Sequence, residues 1–354
     1  MKIVPPITVT DDILVSSNVD VGPAAGWNSG TTYALGDVVS GVNAISLKTQ
    51  YASLQNGNTN HDPAASTGWW RAIGQAAAEY DAGTTYVAED GAQLDADGTH
   101  RLFRSTRDDN TGNDPTIDAG DHWLVQSATN YWAMHDLALG FSIGNTRIAT
   151  RWPEVIDNVY APTTDVDTVV VWVVDAATVR VSVADTGYDE TVTLTGDANE
   201  TKWQLNGVAR LRAIAFEDVN HAGGSEIRVE INNPGGIAVC AELIMGKAIE
   251  VADNGAEWGA QIGIQDYSNI QANDFGVLVV SKRPWHRTAS YQIWVARADA
   301  DYFAEFMTLY RGTALQFIGQ PNYRLACVFG LARSFKGQMT LPDWVVYSLD
   351  LESV

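Results

Sequence analysis

Trp27-Asn28-Ser29-Gly30-Thr31-Thr32-Tyr33 returns further along the chain as Tyr80-Asp81-Ala82-Gly83-Thr84-Thr85-Tyr86. The match does not end there. Tyr51, Asn58, the Asp62-Pro63 pair and Trp70 follow the first stretch, and Phe103, Asn110, Asp114-Pro115 and Trp123 follow the second. Across these landmarks the offset drifts by no more than one residue, which chance does not maintain. An internal repeat sets the architecture, so the rest of the chain is read around it. Each copy is rich in Gly, Asn, Asp and Thr with its aromatics set apart, a pattern for short strands joined by turns. A unit this small buries little aliphatic surface, and its core must rest on aromatic rings. Residues 26–74 and 75–128 are therefore expected to form two small tandem β-modules.

Residues 129–250 are patterned differently. Asp167–Asp175 holds a continuous Val/Trp run suited to a strand buried on both faces. Val179, Val181 and Val183 alternate with polar residues, as do Ile227, Val229 and Ile231, the period of half-buried strands. Turn signals at Thr186-Gly187, Thr195-Gly196-Asp197 and Asn233-Pro234-Gly235-Gly236 fall between the runs. A jelly-roll-like antiparallel sandwich satisfies this pattern.

Residues 251–354 open on a Gly-punctuated stretch from Asn254 to Gln265. They then read as strands at Gly276–Val280, Tyr291–Ala296, Tyr323–Leu331 and Trp344–Leu351. One short helix is expected over 301–311, capped by Asp299 or Asp301 and ended by Gly312. Phe303, Phe306, Met307 and Tyr310 then share one core-facing stripe. The fold class is thus mainly β: two modules, a sandwich and a β-rich C-terminal domain. Ahead of these, residues 1–25 read as an arm and linker. Ile3, Val4, Ile7, Val9, Ile13 and Leu14 are too apolar for a free tail, and the arm is expected to dock on a neighbouring subunit and to order only there.

Lys and Arg number 22 against 43 Asp and Glu, a formal charge of −21 that argues against phosphate backbones and anionic membranes as partners. Cys240 and Cys327 lie far apart in apolar runs and read as buried free thiols. The start, Met1-Lys2-Ile3-Val4-Pro5-Pro6, lacks a signal-peptide apolar run, and no stretch approaches the roughly 18 apolar residues of a membrane span. Synthesis in the cytoplasm without export signal or membrane insertion is the expectation.

Chemistry-bearing motifs are scarce. There is no nucleophile elbow, zinc-protease helix, phosphate-binding loop or dinucleotide fingerprint. His61, His100, His122, His135, His221 and His286 are scattered without metal-ligand spacing. Asp95-Ala96-Asp97-Gly98 and Asp108-Asp109-Asn110 look like fragments of calcium loops but lack the closing Glu, and read as polar turns. No catalytic residue, metal or cofactor is expected, and the chain reads as a non-enzyme. What remains is the aromatic set Trp27, Tyr33, Tyr51, Trp69, Trp70, Tyr80, Tyr86, Phe103 and Trp123, candidates for stacking on sugar rings. Trp69 and Trp70 point to opposite sides of an extended strand, so one can fill a core while the other faces outward.

Trp27, Gly30, Tyr33, Gly36-Asp37, Val39, Tyr51, Asn58, Pro63 and Trp70 together resemble the small chitin- and carbohydrate-binding module of bacterial chitinases and phage tail proteins. The resemblance covers residues 26–74 well. Residues 79–126 lack the Gly-Asp-x-Val element after Tyr86 and resemble it less completely. The order of the whole chain is similar to tail-tip and baseplate-associated proteins of tailed phages. It runs from an Ile-Val-Pro-Pro arm through the modules to a sandwich opening at 129–136 and closing at 241–248, then a terminal domain ending 347–352. That resemblance implies a location in the virion tail and symmetric copies touching other tail proteins and a host cell-surface glycan. A secreted polysaccharide-binding protein, an accessory of a glycan-degrading system, or a glycan-cleaving enzyme are the competing readings.

Overall fold

The computed structural model describes residues 1–41, 47–96, 98–139, 149–196, 198–205, 208, 210–251, 260–272, 277–320 and 323–354. The arm supplies β1 (Lys2–Val4) and β2 (Leu14–Ser17). The first copy holds β3 (Thr32–Tyr33), β4 (Val38–Ser40), β5 (Lys48–Ser53), β6 (Asn58–Thr59) and β7 (Trp70–Ala76). The second repeats it as β8 (Thr85–Tyr86), β9 (Gly91–Ala96), β10 (Thr99–Ser105), β11 (Asn110–Thr111) and β12 (Trp123–Ala128). In both, the first and fourth strands pair, and the other three make an antiparallel sheet with the long middle strand at its centre. Leu47, Ala77 and Leu102 form a small core where the copies meet.

The sandwich follows as β13 (Thr150–Tyr160), β14 (Val166–Asp175), β15 (Thr178–Val183), β16 (Tyr188–Thr193), a short α1 (Ala198–Lys202), β17 (Arg212–His221) and β18 (Ile227–Gly246). β18 organises it. β13 lies along one edge of β18, while its other edge takes β15 over the first half and β14 over the second. Asn233-Pro234-Gly235-Gly236, expected to end a strand, instead bulges out of this single long one. The register of β13 steps from Ile237 to Asn232 across Glu154, and the extra residues leave the ladder where Pro234 has no N–H and Gly235 takes φ +71°. β14 is buried on both faces, as its Val/Trp run requires. Val169, Val171 and Val173 enter the sandwich core. Val170 and Trp172 enter a second core, shared with Ile318 and Phe329 of the C-terminal sheet.

That sheet is built from β19 (Ile249–Glu250), β20 (Gln261–Asp266), β23 (Trp285–Ala296), β24 (Leu315–Ile318), β25 (Cys327–Leu341) and β26 (Trp344–Ser353). Between them the chain makes a separate hairpin, β21 (Asn269–Ala272) and β22 (Leu278–Ser281), and one longer helix, α2 (Arg297–Leu309). Residues 254–259 and Gly276 of the expected segments lie outside the described residues. Tyr323–Ala326, read as strand, is a turn with one 3-10 segment, and the strand runs on instead to Leu341. α2 begins four residues earlier than expected and needs no Asp cap, because the Arg297 N–H donates to the Asp343 carbonyl at 2.9 Å. Its apolar stripe is placed as the spacing requires: Phe303 and Met307 are buried and Phe306 and Tyr310 pack against the same core. Cys240 and Cys327 are free and buried.

The arm departs most from expectation. β1 is not held for a neighbour but fills the slot between β19 and β24 of its own chain, giving the order β19-β1-β24-β25-β26-β23-β20. The physical reason is alternation: Ile3 points into the core beneath α2 and Val4 into the core behind β14, both with no exposed surface. Lys2 pairs with Glu217 on β17, and β2 adds to β13. Further along, Val9, Leu14 and Val19 are buried in the sandwich core. Where the arm crosses β18 at Gly246, a Cβ would collide with the Pro5 carbonyl oxygen, so only glycine fits. Truncating a fully buried Ile costs roughly 2–5 kcal/mol. The Ile3→Ala variant should therefore unfold at clearly lower urea, and deletion of residues 2–20 should destroy the cooperative transition; an unchanged midpoint would contradict an interior strand.

Candidate functional site

The two aromatic modules show atom for atom how much of the repeat is structural. The Tyr33 hydroxyl accepts from the Asn28 N–H at 2.8 Å, and Tyr86 accepts from Asp81 at 2.9 Å. Trp70 Nε1 donates to the His61 carbonyl and Trp123 Nε1 to that of Asn113, each at 2.8 Å. Tyr33 meets Trp70 edge-on at 5.2 Å, and Tyr86 meets Trp123 at 4.8 Å. Asn58 and Asn110 each donate to the serine that ends the long middle strand. These contacts give the buried indole N–H groups of Trp70 and Trp123 their acceptors.

Of the nine candidate aromatics, Tyr33, Trp70, Tyr86, Phe103 and Trp123 are buried at 9% exposure or less. They form the cores of the modules. Trp27, Tyr51, Trp69 and Tyr80 stay half-buried. Within the Trp69-Trp70 pair, Trp70 fills the core and Trp69 packs at its margin, one ring face stacked on His61 at 3.8 Å and 12°. The His61 ring is held in turn by Asn58 Oδ1 at 3.1 Å. Trp69 and His61 make an ordered aromatic pair at the margin of the first copy's core.

The second copy differs here. His122 stands where Trp69 stood, and its ring bonds Asp118 at 3.1 Å. Asp118 also accepts the backbone N–H groups of Gly120, His122 and Trp123. Burial alone would raise its pKa, but the N–H donors of Trp123 and His122 outweigh it and hold the carboxyl at about 2. In the second copy this corner holds a charge.

The turn that looked absent after Tyr86 is present in altered form. Asp37 accepts from the Ala34 N–H in the first copy, and Asp90 accepts from Val87 in the second. Gly36 has φ +87° and its counterpart Glu89 has φ +73°, a conformation in which a side chain is strained. A glycine-based motif misses this turn because Glu89 holds the backbone shape without the glycine. Of the two acidic stretches read as polar turns, Asp108 lies in a loop and accepts from the Ala88 N–H, while Asp95 and Ala96 instead end β9 and Asp97 lies outside the described residues. Among the described residues no group of His, Cys, Asp and Glu is arranged to hold a metal.

Asp136 and Glu242 are a carboxyl pair that sequence reading did not single out, since only folding brings them together. The Ala138 N–H is shared between them, donating to Asp136 Oδ1 at 3.1 Å and to Glu242 Oε2 at 3.0 Å, and Glu242 has no exposed surface. Burial pushes Asp136 to about 7 and Glu242 well above its ordinary range. Nearby His135, buried, is held neutral with a pKa of about 3. With Glu242 fully buried and Asp136 half-buried beside it, ionising the pair works against the fold. From Asp136 the contribution to stability is present below its ordinary value of 3.8 and is lost as pH rises to about 7. Asp136→Asn should therefore flatten the fall of the urea midpoint across that window, and a profile parallel to the parent's would exclude the pair.

No protein-family model, no curated protein and no solved structure matches this chain.

Proposed function

We propose that this chain is an adhesion and assembly protein of a phage tail tip, in which the first aromatic module touches a host cell-surface glycan and the second is a structural copy. The observation that carries the reading is the difference between the copies. Both keep the same core, yet Trp69 on its His61 support is retained only where the module resemblance is strongest, and His122 with Asp118 replaces it in the other. A flat, pre-ordered ring offers apolar area to the C–H face of a sugar at small entropic cost. A half-buried ring gives one small site, so single-copy affinity is weak and multiple copies on a particle raise it. The chain's −21 charge is compatible with a neutral glycan and opposes polyanions. In this role no bond is made or broken.

The test is sedimentation with insoluble chitin and with whole host cells. Trp69→Ala should keep the fold, leave thermal unfolding nearly unchanged and cut the bound fraction at least about tenfold. His122→Ala should leave binding unchanged, while Trp70→Ala should cost roughly 3–5 kcal/mol of stability as a buried ring. Full binding by a folded Trp69→Ala protein would overturn the assignment.

A further inference from the structure

Asn56-Gly57 forms the exposed turn between β5 and β6 of the first module, and of the three Asn-Gly pairs in the chain it is the one within the described residues. Gly57 takes φ +72°, and nothing lies within 4 Å of where a Cβ would stand. The Asn56 side chain is oriented by a backbone donor, its Oδ1 accepting the Leu35 N–H at 3.0 Å. A backbone N–H only donates, so the oxygen and nitrogen of this amide are told apart. Asn58, two residues on, contrasts with it. That amide is buried, with Nδ2 on Ser53 and the Trp69 carbonyl and Oδ1 at His61.

The second copy supplies the comparison. Asp108 stands in the place of Asn56, and its Oδ1 accepts the Ala88 N–H, also at 3.0 Å. Asp109 stands in the place of Gly57, with φ +56°. Behind them Asn110 donates to Ser105 and the His122 carbonyl, as Asn58 does to Ser53 and the Trp69 carbonyl. This turn therefore accepts a carboxyl in place of the amide with the network behind it intact. It has no such room for a longer main chain, because Asn58 is fixed by its pairing with Tyr33.

We propose that Asn56-Gly57 is a site of spontaneous covalent modification, where the side-chain amide is lost to water and the first module acquires the acidic turn of the second. The Gly57 backbone nitrogen gives up its proton and attacks Asn56 Cγ. A C–N bond closes a succinimide ring as the Cγ–Nδ2 bond breaks, and ammonia leaves with that proton. Water then opens the ring. Breaking the bond just formed leaves an aspartate; breaking the original peptide bond leaves an isoaspartate, whose main chain runs through the former side chain. Nothing is oxidised or reduced, and water is the one co-reactant. The Leu35 N–H polarises the Cγ carbonyl for attack, and glycine puts no side chain in the path of its own nitrogen. Since that nitrogen must lose its proton, conversion quickens as pH rises. The site needs no glycan and stands apart from the reading of Trp69.

Peptide mapping of the folded, full-length chain tests it. Trypsin cuts after Lys48 and Arg71, so residues 49–71 come off as one peptide holding Asn56, Asn58 and Asn60. After mildly alkaline incubation in heavy-oxygen water, the expected result is conversion at Asn56 and at neither of the other two. The new carboxyl should carry the heavy oxygen, aspartate and isoaspartate should both be present, and acidic incubation should slow the reaction. Gly57→Asp should slow it at least about tenfold, and Asp109 shows that the backbone carries a side chain at that place. Asn56→Asp should leave the urea midpoint unchanged. A folded parent that keeps its Asn56 amide after the same chain unfolded in guanidinium has converted would overturn the proposal. Equal conversion in Gly57→Asp, or a clearly lowered urea midpoint for Asn56→Asp, would overturn it as well.

Discussion

Trp172 is the side chain on which the two large β-layers are joined. It sits on β14, which is buried on both faces, and its indole N–H donates to the buried Gln316 side chain on β24 at 2.9 Å. Arg287 on β23 lies over the same ring at 5.1 Å and donates to the Leu211 carbonyl just ahead of β17. Burial pulls the Arg287 pKa down, so the guanidinium is held in place by the ring face and the carbonyl against the cost of leaving water. Neither partner tolerates separation. Parting the sandwich from the C-terminal sheet would strip a buried indole N–H of its acceptor and expose the Val170, Ile318 and Phe329 surfaces together. The arm then locks that joint, since Val4 lies in the same core and Ile3 in the next.

Local pattern made much of this visible. The repeat register foretold the matching strands of the two modules, because identical spacing with identical turn chemistry has few other solutions. The unbroken Val/Trp run foretold a strand buried on both sides, and the Phe303, Met307 stripe foretold the face of α2. What the sequence did not reveal is non-local. Nothing in Lys2-Ile3-Val4 names β19 and β24 as its neighbours, since an apolar alternating strand fits any open slot, in its own chain or another. Asn233-Pro234-Gly235-Gly236 has turn composition, yet pairing on both sides of it keeps β18 continuous and makes the same residues a bulge.

The candidate site was legible in kind more than in detail. Aromatic spacing indicates that rings are gathered; it does not say which rings are spent on the core. Only the hydrogen bonds of Trp70 and Trp123 to the carbonyls of His61 and Asn113 sort them, because those bonds tie each indole inward. The supporting residue His61 carries no signal of its own, as a lone histidine after a Thr-Asn turn is an ordinary loop residue. Asp118 is equally silent, being one of many acidic residues until four donors converge on it.

The fate of Glu89 and Asp118 shows how the two copies diverge without losing a common backbone. Glu89 bears the strain of a left-handed conformation that Gly36 adopts freely, and its ion pair with Arg104 is exposed enough to return little. The turn survives because Asp90 still accepts the Val87 N–H and because Ser105 and Asp90 keep the backbone bonds that hold Asp37 to Ser53 in the other copy. The second copy is thus strained at its turn while its charged corner, Asp118 under the Trp123 and His122 N–H groups, fastens the end of the loop. Beside this poorer turn the second copy keeps its aromatic core and its junction through Leu102 to the first copy. The first copy has glycine at the turn and Trp69 at the margin of its core.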